Sequence, residues 1–101
     1  MKFSEPNNFI INGYILKMTC YACPEQYEVF RNKEQVGYLR LRNGSFTASV
    51  PKCGGDIIYH ANPSGDGIFE NNERRFYLEE AIKKIQEQDE QTAFDMLNEK
   101  E

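Results

Sequence analysis

Hydrophobic and polar residues alternate most clearly between Val36 and Val50, on either side of Asn43-Gly44. An Asn-Gly pair between two alternating runs predicts a two-residue β-hairpin, because both turn residues must adopt positive φ angles. The turn fixes the register, so one face receives apolar side chains and the other receives polar ones. The apolar set is Leu39, Leu41, Phe46, Ala48 and Val50, and the polar set is Tyr38, Arg40, Arg42, Ser45, Thr47 and Ser49.

The same alternation predicts further strands, and a change of period predicts a helix. Residues 9–16 predict a second hairpin around Asn12-Gly13, and residues 26–31 and 57–61 predict single strands. Asn71 or Asn72 is predicted to cap a helix, with Glu73 in the first turn. Its apolar positions are Phe76, Leu78, Ala81, Ile82 and Ile85, and after a polar break at residues 86–91 they are Ala93, Phe94, Met96 and Leu97. We expect one long helix, or two segments with a bend near residue 90.

Successive strands followed by a helix predict an α+β fold: an antiparallel β-sheet of hairpins with a C-terminal α-helix packed on one face. The connections are too short for helical crossovers between parallel strands. We assign residues 1–101 to one domain, with a loose N-terminal arm at 1–8 and an acidic helical C-terminal extension at 86–101. The predicted core is Ile10, Ile15, Leu16, Val29, Leu39, Leu41, Phe46, Val50, Ile58, Phe76, Leu78, Ile82 and Ile85.

Composition narrows the class of protein. A chain of 101 residues that is 40% hydrophobic can bury one modest core. The sequence lacks a run of ~18 apolar residues for a membrane span, and it lacks the apolar stretch of a secretion signal. Three cysteines are an odd number, which argues against a disulfide framework. We therefore expect a soluble cytoplasmic protein that does not bind membranes.

Charge is unevenly distributed along the chain, whose net charge is −4. Residues 86–101 hold six acidic residues and one basic residue, whereas residues 1–85 hold ten acidic and eleven basic residues. The first part is therefore near neutral, and it lacks the strongly basic footprint of a nucleic-acid-binding protein. We do not expect a nucleic-acid partner.

The polar face of the Asn43-Gly44 hairpin is the candidate binding surface, with Tyr38, Arg40, Arg42 and Thr47 as its binding residues. Arginine can donate a fork of hydrogen bonds to a carboxylate or phosphate, and tyrosine can stack on a ligand. The alternative is an ordinary solvated face, because antiparallel sheets commonly leave one side to water.

The cysteines and the single histidine form the candidate metal site. Cys20 and Cys23 have the spacing of a zinc-binding turn, and Cys53 and His60 complete a tetrahedral Cys₃His set. The alternative is that the cysteines are small buried hydrophobic residues. A redox role for Cys20 and Cys23 lacks the βαβ context that such a motif requires.

Residues Asn62–Glu73 resemble a calcium-binding loop of the EF-hand type. Asn62, Ser64 and Asp66 stand at alternate positions, Gly67 stands at the sharp turn, and Glu73 is the twelfth residue. Two features depart from that motif: the first position lacks a carboxylate, and a strand is predicted before the loop. Turn chemistry and helix capping explain the same residues.

Enzyme signatures are weak. The chain has neither a Gly-x-Ser-x-Gly elbow nor a phosphate-binding glycine loop that ends in Lys-Ser or Lys-Thr. The leading hypothesis is a non-enzymatic binding or interaction module. Its contacts would run through the polar sheet face or through the C-terminal helix, which would pair with a protein partner or a second copy. A zinc-stabilised module is the alternative, followed by a calcium-binding loop.

Four segments resemble a small bacterial protein family without an assigned activity. They are Tyr27-Glu-Val-Phe, Gly37-Tyr-Leu-Arg-Leu-Arg-Asn-Gly, Gly54-Gly-Asp-Ile-Ile-Tyr and Gly65-Asp-Gly-Ile-Phe-Glu-Asn-Asn-Glu-Arg-Arg-Phe-Tyr-Leu. The resemblance spans about residues 26–85. It implies a bacterial, intracellular setting and assigns no catalytic or ligand-binding residue.

Overall fold

A six-stranded antiparallel β-sheet followed by one long α-helix forms the described part of the chain. The computed structural model describes residues 8–21 and 24–99, with side chains up to residue 90. The strands lie across the sheet in chain order. They are β1 Asn8–Ile11, β2 Tyr14–Cys20, β3 Glu25–Arg31, β4 Glu34–Arg42, β5 Ser45–Val50 and β6 Asp56–Ala61, and helix α1 spans Asn71–Glu99. The predicted α+β fold class is confirmed.

Three two-residue turns set the register of the sheet. Asn12-Gly13 joins β1 to β2 and Asn43-Gly44 joins β4 to β5, and all four residues have positive φ angles. Asn and Gly adopt such angles at low cost, so the local sequence specifies both hairpins. The observed pairing of Arg40 with Thr47 confirms the register predicted for the second of them. Asn32-Lys33 also has positive φ angles and joins β3 to β4 without a glycine.

Helix α1 packs along β4, β5 and β6 on one face of the sheet, which we call the inner face. Gly37 in β4 allows a close approach, because a Cβ atom there would lie 2.6 Å from Ile85 Cδ1. The helix buries Leu78, Ala81, Ile82 and Ile85. The rest of the buried core is Ile11, Tyr14, Leu16, Met18, Tyr27, Val29, Leu39, Leu41, Phe46, Ala48 and Phe69.

A buried carboxylate attaches the start of α1 to the sheet. Glu25, at the start of β3, is completely buried and lies 2.8 Å from Arg74 Nε. Its oxygens also accept hydrogen bonds from Arg74 Nη2, from the Tyr27 hydroxyl and from the Phe69 backbone N–H. These donors satisfy both oxygens, which compensates for the removal of a charge from water.

Two isoleucines predicted for the core are exposed instead. Ile10 is 68% exposed and Ile15 is 45% exposed. Ile15 lies between Tyr14 and Leu16, which both face the core, and successive strand residues face opposite sides of a sheet. Ile10 pairs with Ile15 and therefore lies on the same side.

Phe76 was also predicted for the core and is 57% exposed. It stands two residues before Leu78, and residues two apart do not share a helix face. Tyr77, which is four residues before Ala81, packs against the core in its place. The other predicted core residues are buried, except that Val50 and Ile58 are partly buried.

The start of the helix differs from the predicted one. The Glu70 carbonyl accepts the first helical hydrogen bond, from Arg74 N–H at 3.1 Å, so Glu70 is the N-cap residue. The predicted cap at Asn71 or Asn72 is wrong, whereas Glu73 does lie in the first turn. The polar stretch at 86–91 does not interrupt α1.

Several predictions lie partly or wholly outside the described residues. The N-terminal arm lies outside them, except for Asn8, which begins β1. Cys23 also lies outside, as do the last two residues of the extension at 86–101.

Candidate functional site

The sheet face opposite to α1, which we call the outer face, carries all four predicted binding residues. Cross-strand pairing places Arg40 beside Thr47 and Tyr38 beside Ser49. One row across the sheet is Cys20, Gln26, Arg40, Thr47 and His60. The next row is Lys17, Glu28, Tyr38, Ser49 and Ile57. Arg42 pairs with Ser45 beyond them.

Tyr38 connects several polar groups on the outer face. It is half-buried, and its hydroxyl donates a hydrogen bond to Gln26 Oε1 on the neighbouring strand. Burial raises the pKa of Tyr38, the Cys53 thiol adds to this rise, and the Arg40 guanidinium opposes it. The phenol is therefore neutral at physiological pH and available as a hydrogen-bonding and stacking group.

Arg40 and Arg42 supply positive charge at the same place. Arg40 is half-buried and Arg42 is exposed. The ion pairs within the described residues involve Arg31, Arg74, Arg75, Lys83 and Lys84. Within that part of the chain, neither Arg40 nor Arg42 has a carboxylate oxygen within 4.0 Å. Two guanidinium groups two residues apart on one strand can therefore bind carboxylates from outside.

Hydroxyl and imidazole groups surround the two arginines. Thr47 is half-buried between Arg40 and His60 in the row across the sheet. His60 Nε2 lies 2.9 Å from Ser45 Oγ, so these two side chains orient each other. Such groups add hydrogen bonds to a ligand that the arginines attract.

An apolar area adjoins this polar region, and the sequence pattern did not lead us to it. Ile10 pairs with Ile15, which pairs with Phe30, so the three form a row on the outer face. Their residue type alone predicts a core position for the two isoleucines. The position of Lys17, two residues after Ile15, is the signal that would have placed Ile15 on the outer face.

Two of the four proposed zinc ligands, Cys20 and His60, lie far apart on the sheet. Cys20 and His60 are the two ends of one row that spans five strands, which separates them by about 19 Å at the usual strand spacing. One ion cannot bind both. Cys53 is exposed in the β5–β6 loop, and Cys23 lies outside the described residues. Among the described residues, no three His, Cys, Asp or Glu side chains are grouped for a metal ion.

The calcium-like loop is organised by hydrogen bonds within the chain. The Glu73 carboxylate accepts N–H donors from Ser64 at 2.9 Å, Gly65 at 2.8 Å and Glu70 at 3.0 Å. Partial burial by itself would raise the pKa of Glu73, but these donors and Arg74 outweigh it and lower the pKa. Both carboxylate oxygens thus serve the loop and the helix start, which is the capping role considered above.

A groove of about 390 Å³ lies near the end of β3, where α1 passes the β5–β6 loop. Its wall includes Arg31, Glu34, Asp56, Ile85 and Asp89. Arg31 Nη2 lies 3.4 Å from Asp89 Oδ2, and the Arg31 guanidinium lies over the Tyr14 ring. The charge of Arg31 is therefore already paired within the protein. The sequence could not reveal this groove, because four distant segments form it.

Comparisons with protein-family models, curated proteins and solved structures returned no match to the chain. The resemblance to a bacterial family therefore stays a prediction. Among the described residues, none of the helical segments has both the length and the apolar character needed to cross a membrane.

Proposed function

We propose that the protein is a non-enzymatic binding module of the bacterial cytoplasm whose outer face docks an acidic segment of a partner protein. The observation that carries this proposal is the pair Arg40 and Arg42. Within the described chain their guanidinium groups lack an acidic partner, although five other basic residues have one.

The surroundings of the arginines suit a peptide ligand. Each guanidinium can donate two parallel hydrogen bonds to one carboxylate, which fixes the orientation as well as the position of the ligand. The Tyr38 ring, the Thr47 hydroxyl and the Ser45–His60 pair add neutral polar contacts on the same face. The row that contains Ile15 and Phe30 offers apolar contact to the same ligand.

The outer face is also separated from the groups that hold the fold together. The ion pair of Glu25 with Arg74 and the residues under α1 lie on the inner face. Side chains on the outer face can therefore be changed with little loss of folding stability. This separation is what makes the binding role testable by substitution.

We expect a fluorescein-labelled octaglutamate peptide to bind the protein with a fluorescence anisotropy signal that weakens as salt rises. The double variant Arg40→Gln/Arg42→Gln should weaken binding by about tenfold, which corresponds to about 1.4 kcal/mol for two partly solvated charge pairs. The matched control is Arg75→Gln/Lys84→Gln, which removes the same charge from the helix surface. Equal loss in the control, or no binding by the wild-type protein, would contradict the proposal.

A further inference from the structure

The two halves of α1 differ in charge. Residues 71–85 contain four basic and three acidic residues, whereas residues 86–99 contain five acidic residues and no Lys or Arg. The partial negative charge at a helix C-terminus favours nearby cations, yet the last turn of α1 has no basic residue. The second half of the helix would therefore be stabilised by a cationic surface.

Helix α1 is attached to the sheet at Asp89 and extends further along the chain. Asp89 accepts a hydrogen bond from the Tyr14 hydroxyl at 3.0 Å and pairs with Arg31 at 3.4 Å. Helix α1 then continues through Glu99, which adds about 15 Å at 1.5 Å per residue. A helical segment of this length is marginal in water by itself.

The acidic segment cannot reach the outer face of its own chain. Helix α1 runs along the inner face, and the sheet separates it from Arg40 and Arg42. Because α1 is continuous from Asn71 to Glu99, the segment cannot fold back around the sheet edge without breaking the helix. An acidic segment of this kind can contact that surface only on another molecule.

We infer that residues 86–99 of one copy of the chain dock on the outer face of a second copy. The inference rests on the proposed function and names its partner. Charge supports the assignment: the segment holds four acidic residues besides Asp89, and the outer face holds Lys17, Arg40 and Arg42 together with Glu28. Apolar residues support it as well, because Phe94 and Leu97 recur at helical spacing and the outer face exposes Ile10 and Ile15.

The test is a charge exchange between two full-length variants, followed by light scattering after size-exclusion chromatography. The face variant is Arg40→Glu/Arg42→Glu, and the tail variant is Glu87→Lys/Glu90→Lys/Asp95→Lys/Glu99→Lys, which changes the net charge of residues 86–99 from −5 to +3. Asp89 is left intact because it anchors the helix to Tyr14. Circular dichroism and urea denaturation of each variant establish that both are folded.

The wild-type protein is expected to show a mass above the 11.8 kDa of one chain at low salt, rising with concentration and falling as salt increases. Each variant alone should stay near 11.8 kDa, because its tail and face then carry the same charge. An equimolar mixture should associate again, since each tail then meets a face of opposite charge.

Three results would overturn the inference: a wild-type protein that stays at 11.8 kDa, association that survives in the face variant, or a mixture that does not associate. The octaglutamate experiment separates this failure from failure of the proposed function. If the peptide binds and the wild-type chain stays monomeric, the surface binds acidic segments of another protein. If neither binds, both proposals are wrong.

Discussion

At the scale of single residues, one buried carboxylate is the group that would be most costly to leave without its partner. Glu25 is completely removed from water, and its donors come from β3, from the loop before α1 and from α1 itself. A buried charge without its partner is costly, whereas an exposed ion pair contributes little. Two adjacent arginines of α1 allow these cases to be compared.

Arg74→Gln should lower the free energy of unfolding by about 3–5 kcal/mol, because it leaves the Glu25 carboxylate buried and uncompensated. Arg75→Gln removes only the exposed pair with Glu79 and should cost about 0.3–0.5 kcal/mol. Urea denaturation followed by circular dichroism measures both. Similar losses in the two variants would mean that the Glu25–Arg74 contact is not a main support of the fold.

Glu73 should make stability depend on pH in the acidic range. Its pKa is lowered in the folded protein, so its contribution is fully present above the unfolded pKa, near 4.3, and is lost as pH falls through the folded pKa. Glu73→Gln should cost about 1 kcal/mol at neutral pH through loss of its N–H contacts. Thermal melts from neutral to acidic pH should show a shallower decline for the variant.

The same decline in wild type and Glu73→Gln would show that other carboxylates control the acid transition. Melts repeated with added Ca²⁺ belong to this experiment, because the three N–H donors occupy the Glu73 oxygens. We expect no calcium-dependent rise in melting temperature for either protein.

At the scale of elements, local chemistry decided what the sequence could predict. The hairpins at Asn12-Gly13 and Asn43-Gly44 follow from two turn residues each, and the apolar alternation then sets both faces. The hairpin at Asn32-Lys33 also has positive φ angles. Lysine rarely adopts a positive φ angle, so the sequence did not predict this type of turn.

The core predictions were wrong where they relied on the residue type and not on the strand or helix periodicity. Ile15 and Phe76 are apolar but stand out of phase with the buried residues beside them. Glu25 and Phe69 could not be predicted, because a buried glutamate depends on Arg74 and Phe69 lies in a loop that packs on Phe46. Both contacts join parts of the chain that are far apart in sequence.

The sequence predicted correctly that Tyr38, Arg40, Arg42 and Thr47 share one face of the sheet, but it did not predict what surrounds them. The row of Cys20 and His60 shows why: spacing along the chain does not give distance across a sheet. The zinc prediction joined residues by type and order. Residues become neighbours on the outer face through the register of paired strands. The sequence predicted that register in detail only for the hairpin at Asn43-Gly44.

Tyr14 attaches α1 to the sheet at Asp89. Burial and the hydrogen bond to Asp89 raise the pKa of Tyr14 to about 12. An unfolded tyrosine ionises near pH 10, so this contribution is fully present below that pH and is lost as pH rises through about 12. Tyr14→Phe should cost about 1 kcal/mol at neutral pH and make the alkaline decline of stability shallower.

The control for this prediction is Tyr21→Phe, because Tyr21 is an exposed tyrosine at the end of β2. Alkaline denaturation of both variants is measured beside the wild-type protein. A decline in Tyr14→Phe as steep as that in the wild type would indicate that the attachment of α1 does not depend on this phenol.

At the scale of the whole molecule, the groups that stabilise the fold and the surface that we propose as the binding site lie on opposite faces of one sheet. The inner face is covered by α1 and holds the buried ion pair, and the outer face holds Arg40 and Arg42. Charge is also divided along the chain, since residues 1–85 are near neutral and residues 86–101 are strongly acidic. The molecule thus carries a basic surface and an acidic segment at separate places.

The most direct test of the account is a map of amide chemical shifts in the ¹⁵N-labelled protein during titration with octaglutamate. We predict the largest shifts on the outer face, at residues 38–42 and 45–49, with small shifts in residues 71–85 of α1. Shifts concentrated in the helix or in the groove beside Arg31, or none at all, would contradict the claim that the outer face binds acidic segments.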